Sequence, residues 1–146
     1  MSKLDSYLQL KGSSSADFQQ SLTATDAVDL LKSGNERFLT KKPAKREREA
    51  LLEGAAQGQA PYAAVLGCID SRAPIEEVFD ASIGDLFVAR VAGNTVNEDI
   101  LGSLEYACKY AGSKAILVLG HTQCGAVKGT YSELKDGNLT VLLQRI

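Results

Sequence analysis

Three short apolar runs restrict the possible folds of this 146-residue chain more than anything else in it: Ala63-Ala64-Val65-Leu66-Gly67, Leu86-Phe87-Val88-Ala89 and Ala115-Ile116-Leu117-Val118-Leu119. None shows the apolar–polar alternation of a half-exposed strand. Continuous runs of this length fit strands buried on both faces. Helical stretches lie between and after them. One starts at Pro74, a favoured first-turn residue, one runs from Glu98 to Tyr110, and a third follows Gly125. Strands that alternate with helices imply a parallel sheet joined by right-handed crossovers. The expected fold class is therefore α/β, a three-layer arrangement with a parallel-sheet core flanked by helices. A hydrophobic content of 45% against 23% charge is enough to fill the core of one domain.

Upstream of the first run the pattern is looser. Residues 1–22 read as a flexible arm containing the breaker cluster Gly12-Ser13-Ser14-Ser15, and the folded domain is expected over residues 23–146. A helix is expected to begin near Thr25, capped by Thr23 or Thr25, with Ala27, Val28, Leu31 and Phe38 at helical spacing. A second helix is expected over Ala44–Ala56, ended near Gly58. The basic stretch from Lys41 to Arg48 reads as a solvated helix face rather than an anion site. A net charge of −2 and a pI near 5.4 argue against a nucleic-acid partner. No apolar run approaches 18 residues, so no membrane span is expected. Met1 to Ala16 lacks a basic start followed by an apolar stretch, so no secretory signal is expected, and Asp5 and Asp17 speak against a transit peptide. Three cysteines cannot close a paired disulfide framework. They point to a reducing compartment, and the expected location is cytoplasmic.

The chemistry lies at the ends of two of the runs. Cys68-Ile69-Asp70-Ser71-Arg72 follows the first run, and His121-Thr122-Gln123-Cys124 follows the third. Parallel sheets gather ligands beyond the carboxyl ends of their strands. If the first and third strands are neighbours, both motifs open onto one crevice. Two thiolates and the chain's only histidine form a three-ligand zinc set, which leaves a fourth position for water. The two thiolates offset the ion's charge and make that water less acidic than three histidines would. Asp70 could orient the water by accepting its hydrogen bond, or could itself take the fourth position. Arg72 presents a forked donor for a carboxylate, so an Asp70–Arg72 pair would act as a switch between these two states. Taken singly, each residue has a plainer explanation: a small core cysteine, a satisfied histidine, a local ion pair. Their combination after two separate strands points to a metal site. Cys108, within an apolar helical pattern with Leu104 and Ala111, reads as core.

Cys-x-Asp-x-Arg followed by His-x-x-Cys, each after a strand, resembles the β-class carbonic anhydrases. Further matches are Leu30-Leu31 with Gly34-Asn35-x-Arg37-Phe38, Gly58-Gln59-x-Pro61, Gly84-Asp85-Leu86-Phe87-x-x-Arg90-x-Ala92-Gly93-Asn94 and Ser103-Leu104-Glu105-Tyr106, so the resemblance covers about residues 25–130. It implies that Cys68, His121 and Cys124 bind zinc and that Asp70 and Arg72 form a catalytic dyad. By the same resemblance, Gln59 hydrogen-bonds substrate or bicarbonate, Phe87 and Tyr106 line a substrate pocket at a dimer interface, and the Gly125 amide faces that pocket. The implied reaction is zinc-dependent reversible hydration of carbon dioxide to bicarbonate and a proton. The expected partners are this small substrate and one or more further copies of the chain, as a homodimer or a higher homo-oligomer. With no second histidine, a tyrosine, a buffer molecule or a water chain would carry the proton away. Two alternatives stand beside this: a zinc hydrolase of carbonyl sulfide or carbon disulfide, and a non-catalytic zinc-binding truncated paralogue. The lack of a Gly-x-Gly-x-x-Gly turn after a strand argues against a dinucleotide-dependent dehydrogenase. The chain departs from the family in two places. Val65 stands where members regulated by a second bicarbonate have tryptophan, which argues against that form of regulation. The chain also stops at Ile146, without the family's C-terminal strand region, so an uncovered sheet edge is expected.

Overall fold

The computed structural model describes residues 2–10 and 14–146. Three parallel strands form one sheet in the order β2-β1-β3: β1 (Ala63–Gly67), β2 (Leu86–Arg90) and β3 (Ala115–Leu119). They coincide with the three apolar runs. The central strand is buried along its whole length. Its register sets Gly67 level with Arg90 on one side and Leu119 on the other. Cys68, Val91 and Gly120 therefore leave the sheet at the same end, and the two cysteine motifs meet there.

Pleating divides the side chains between two layers. Ala63 and Val65 of β1, with Leu86, Val88, Ala115, Leu117 and Leu119, pack under the N-terminal helices and α5 (Ile75–Val78). The principal helix of that layer is α3 (Ala24–Leu39), capped by Thr23, whose side chain accepts from the Asp26 N–H while Asp26 reaches back to the Thr23 N–H. At Gly34, α3 crosses α5 so closely that a Cβ would lie 1.8 Å from the Phe79 carbonyl oxygen. On the other face, Ala64 and Phe87 pack under α6 (Glu98–Lys109) through Ile100, Leu104 and Ala107. Here the expectation of strands buried on both faces is corrected for β2, half-buried over Leu86–Ala89, and for β3. α6 lies over β1 and β2, so Ile116 and Val118 remain 48% and 58% exposed. β2 and β3 are the two edge strands of the sheet.

Other differences lie upstream. The arm expected over residues 1–22 is, where described, two short capped helices, α1 (Lys3–Leu8) and α2 (Ala16–Gln20). Tyr7, Phe18 and Leu22 are buried in the main core. Gln19 ties this segment down by donating to the carbonyls of Pro61 and Ala111, each at 2.8 Å. In the Gly12–Ser15 cluster, Gly12 and Ser13 lie outside the described residues, and Ser15 caps α2. The second helix, α4 (Arg48–Gln57), begins four residues later than expected. The basic stretch before it is extended chain, and Arg46 turns inward to the Asp80 carboxylate. Cys108 is half-buried rather than core, because it sits toward the edge of α6's buried face. A 3-10 turn (Ala92–Asn94) follows β2. α7 (Gly125–Tyr131) and α8 (Gly137–Leu143) pair with each other at the C-terminus. No described helix is long and apolar enough to cross a membrane.

Candidate metal centre

The end of β1 delivers Cys68, and the loop after β3 delivers His121 and Cys124. Gln123 adopts a left-handed conformation (φ 59°), which turns the chain between the two residues and lets their side chains converge. One ligand atom from each of Cys68, His121 and Cys124 lies within 4.8 Å of the other two. The two sulfurs are 4.0 Å apart and not bonded. An ion about 2.3 Å from each sulfur in tetrahedral geometry sets them about 3.8 Å apart, so the observed spacing suits zinc with little adjustment.

The histidine is prepared for the same role. Its Nδ1 lies 2.9 Å from the Thr122 carbonyl oxygen. A carbonyl only accepts, so this contact puts the proton on Nδ1 and leaves a lone pair on Nε2. Nε2 is buried and has no hydrogen-bond partner. A buried acceptor beside two sulfurs is costly unless something binds it, and a soft divalent cation satisfies all three. The residues therefore fit zinc. Burial pushes the Cys68 thiol up, but the His121 ring, the Gly93 N–H at 3.3 Å, the Asp70 backbone and the Cys124 sulfur outweigh it and bring it to about 7. The neighbouring Cys68 sulfur in turn raises His121. Gly93 reaches the sulfur from a left-handed turn (φ 71°), a backbone conformation that favours glycine.

Asp70 stands beside the cluster, its Oδ2 3.8 Å from His121 Nδ1. Arg72 holds it there with three donors: its backbone N–H at 3.0 Å and Nε at 2.9 Å to Oδ1, and Nη2 at 2.7 Å to Oδ2. These bonds keep the Asp70 carboxyl far below the usual carboxylate range. Of the two arrangements the sequence allowed, this is the one with Asp70 on arginine. Arg90, present in the sequence only as part of a longer match, donates to the carbonyls of Cys68 and Asp70. What could have revealed it is its position at the end of β2, level with Gly67.

Of the other expected site residues, Gln59, Phe87 and Tyr106 are not gathered at the cluster. Gln59 is exposed and precedes β1, whereas Cys68 follows it; about 16 Å of strand separates the two ends. Phe87 and Tyr106 meet edge to face, with ring centroids 6.3 Å apart. They line a groove of about 560 Å³ between α6 and the sheet, which also touches Ala64, Gly102 and Leu104 but no cluster residue. Gly125 is the first residue of α7, next to Cys124, and its N–H has no acceptor within the helix.

Comparison with known proteins agrees with this picture. The family model described as carbonic anhydrase matches residues 63–146. The carbonic anhydrase of Mycolicibacterium smegmatis is 45% identical over 113 residues, and carbonic anhydrase 2 of Mycobacterium tuberculosis 43% over 110; each match covers 75% of this chain and 53% of the relative. The chain thus spans about half the length of these relatives. A carbon disulfide hydrolase of Acidithiobacillus thiooxidans is 34% identical over 77 residues, covering 49% of this chain and 36% of that protein. Among solved structures, the β-carbonic anhydrase CafA of Aspergillus fumigatus superposes with a TM-score of 0.63 at 28% identity, covering 80% of this chain and 57% of that one. The tetrameric β-carbonic anhydrases of Sordaria macrospora give 0.61 at 28% identity, with 82% and 61% covered. A parallel sheet that brings two cysteines and a histidine together, an aspartate beside them on an arginine, and these matches have one common explanation: the chain belongs to the β-class carbonic anhydrase family.

Proposed function

We propose that this chain carries the zinc centre of an enzyme that reversibly hydrates carbon dioxide to bicarbonate and a proton. One observation carries the reading: Cys68, Cys124 and the unpartnered Nε2 of His121 converge beside a carboxylate that Arg72 keeps ionised. Zinc held by these three residues would acidify a water and make it a nucleophile near neutral pH. The protein's part is orientation. Asp70 has no proton to donate and can only accept, so it fixes the direction of the attacking water's hydrogen and turns a lone pair toward the carbon. Arg72 keeps that carboxylate off the metal. In this reading the Gly125 N–H, at the start of α7 beside Cys124, stabilises developing negative charge on the product oxygens.

In this reading Phe87 and Tyr106, whose groove touches no cluster residue of the same chain, supply apolar walls for an apolar substrate across a dimer interface. Gln59 lies at the far end of β1 from its own cluster, so its proposed role in holding bicarbonate requires a second copy of the chain. We therefore propose a homodimer or a larger homo-oligomer. The exposed Tyr106, Tyr110, Ile116 and Val118 beside α6 and β3 support this, as does the tetrameric assembly named for the Sordaria enzymes. Three free cysteines support a reducing, cytoplasmic location, which fractionation of the native cells would test. The carbon disulfide reading rests on a lower identity over a shorter stretch and ranks second. Stopped-flow hydration by zinc-loaded protein tests the proposal. Activity above buffer is expected, and Asp70→Asn should lower kcat by about 10²- to 10⁴-fold. No hydration by the wild type, or faster turnover of carbon disulfide than of carbon dioxide, would overturn it.

A further inference from the structure

The ladder between β1 and β2 ends where the Val91 N–H donates to the Gly67 carbonyl at 3.0 Å. Beyond that point a side chain takes the place of backbone. Arg90 Nε donates to the Cys68 carbonyl at 2.8 Å, and its Nη2 donates to the Asp70 carbonyl at 2.6 Å. A guanidinium presents its donors in a rigid plane. Holding these two carbonyls therefore fixes the peptide plane before Ile69 and the one after Asp70. Packing does not do this job, because the Ile69 side chain is 62% exposed. The Arg72 bonds do not do it either. They are local to the same loop and set the Asp70 carboxylate relative to Arg72, not relative to Cys68. The other main-chain contact of the segment, Ala73 N–H to the Asp70 carbonyl at 3.2 Å, is also internal to that loop. The Gly93 N–H holds the Cys68 sulfur but not this main chain; among the described residues, Arg90 is the one side chain from the sheet that holds the Cys68 and Asp70 carbonyls.

We propose that Arg90 is a positioning residue: its fork locks Cys68–Asp70 to the end of β2, so that the Asp70–Arg72 pair stays at a fixed distance and angle from the Cys68–His121–Cys124 cluster. Arg90 touches main chain only and takes no part in the chemistry. The kinetic part of this proposal rests on the carbon dioxide reading above; the structural part does not.

Arg90 is exposed, so its truncation leaves the buried core intact. Arg90→Ala should bind one zinc per chain like the wild type and keep KM within about twofold. Its kcat should fall at least tenfold, since a misplacement of about 1 Å can cost about 10²-fold. Free guanidinium ion at low concentration should restore a substantial part of the lost kcat in Arg90→Ala and none in the wild type. Arg90→Lys keeps the charge but not the fork and should remain at least fivefold impaired. Independently of activity, the Arg72 and Ala73 amides should exchange hydrogen at least tenfold faster in Arg90→Ala, while the β1 amides are unchanged. The proposal is overturned if kcat stays within twofold of wild type, or if activity falls only in step with zinc content and guanidinium restores nothing. Should the wild type show no hydration, the functional reading fails by itself, and the exchange measurement still decides: unchanged Arg72 and Ala73 amides refute the lock.

Discussion

Asp80→Asn tests the corner that holds three separate segments together. The Asp80 carboxylate is 8% exposed and accepts from Arg37 Nε of α3, from Arg46 Nη1 at 2.9 Å and from the Ala44 N–H at 3.0 Å. Arg46 Nη2 also donates to the Asp80 carbonyl at 2.5 Å. Asn tolerates the left-handed backbone found at this position (φ 41°), so the substitution removes charge without adding strain. Two guanidiniums, only 15% and 18% exposed, then lose their counter-ion, and one Arg37 nitrogen is already buried without a partner. Removing one member of a fully buried pair costs about 3–5 kcal/mol. The residual exposure of both arginines puts the cost at the lower end, about 3 kcal/mol, or about 9 °C in Tm for a chain of this length. The pH dependence has a definite sign. Burial pushes the Asp80 carboxyl up, but Arg37, the Ala44 N–H and Arg46 outweigh it and leave it below the ordinary carboxylate value. Its contribution is therefore fully present above about pH 4 and is lost as pH falls through the lowered value. Urea melts at pH 7 and at pH 2.5 measure both quantities. A difference under about 0.5 kcal/mol at pH 7, or one that widens in acid, would refute the reasoning.

Three further outcomes follow from the packing. Gly34→Ala gains about 1 kcal/mol of helix propensity. It also drives a Cβ into the Phe79 carbonyl 1.8 Å away, so thermal melts should show net destabilisation of about 1–3 kcal/mol. Tyr7→Phe removes the 2.6 Å bond from the Tyr7 hydroxyl to the buried Asp85 carboxylate and should cost about 2 kcal/mol. Burial raises Asp85, while the Tyr7 hydroxyl and the Ser82 and Ser14 N–H groups favour its ionised form; losing the hydroxyl therefore costs most at neutral pH, where the carboxylate is charged, and less in acid, where it is protonated. Pairs of urea melts at pH 3 and pH 7 read this directly. Gln123→Gly relieves a left-handed glutamine at the turn between two metal ligands, so it should change stability by less than about 1 kcal/mol while weakening zinc affinity through lost rigidity; calorimetry with zinc separates the two effects.

The strands and the cluster were legible because each depends on local chemistry. A five-residue apolar run marks a strand, and a cysteine or histidine placed directly after such a run is carried to the sheet's end whatever else the chain does. The N-terminal segment was less legible. Its apolar residues, Tyr7, Phe18 and Leu22, are sparse and separated by a Gly-Ser cluster, and what holds them is tertiary: Tyr7 on Asp85, and Gln19 on carbonyls near β1 and after α6. The inward turn of Arg46 was hidden for the same reason, since its partner Asp80 lies 34 residues away. β3 misled because its composition is that of a buried strand, while its exposure depends on how far α6 extends across the sheet. Arg90 was visible as a letter in a motif, but its grip on two carbonyls emerges only from the register of β1 against β2.

The central claim is that Cys68, His121 and Cys124 together hold one zinc ion. The most direct test is the zinc content of purified, reduced protein by elemental analysis, wild type beside Cys124→Ser and His121→Ala. One zinc per chain in the wild type, and much less in either variant after dialysis against a mild chelator, is the predicted result. A wild type that binds no zinc after reconstitution, or variants that retain it as well as the wild type does, would contradict the account.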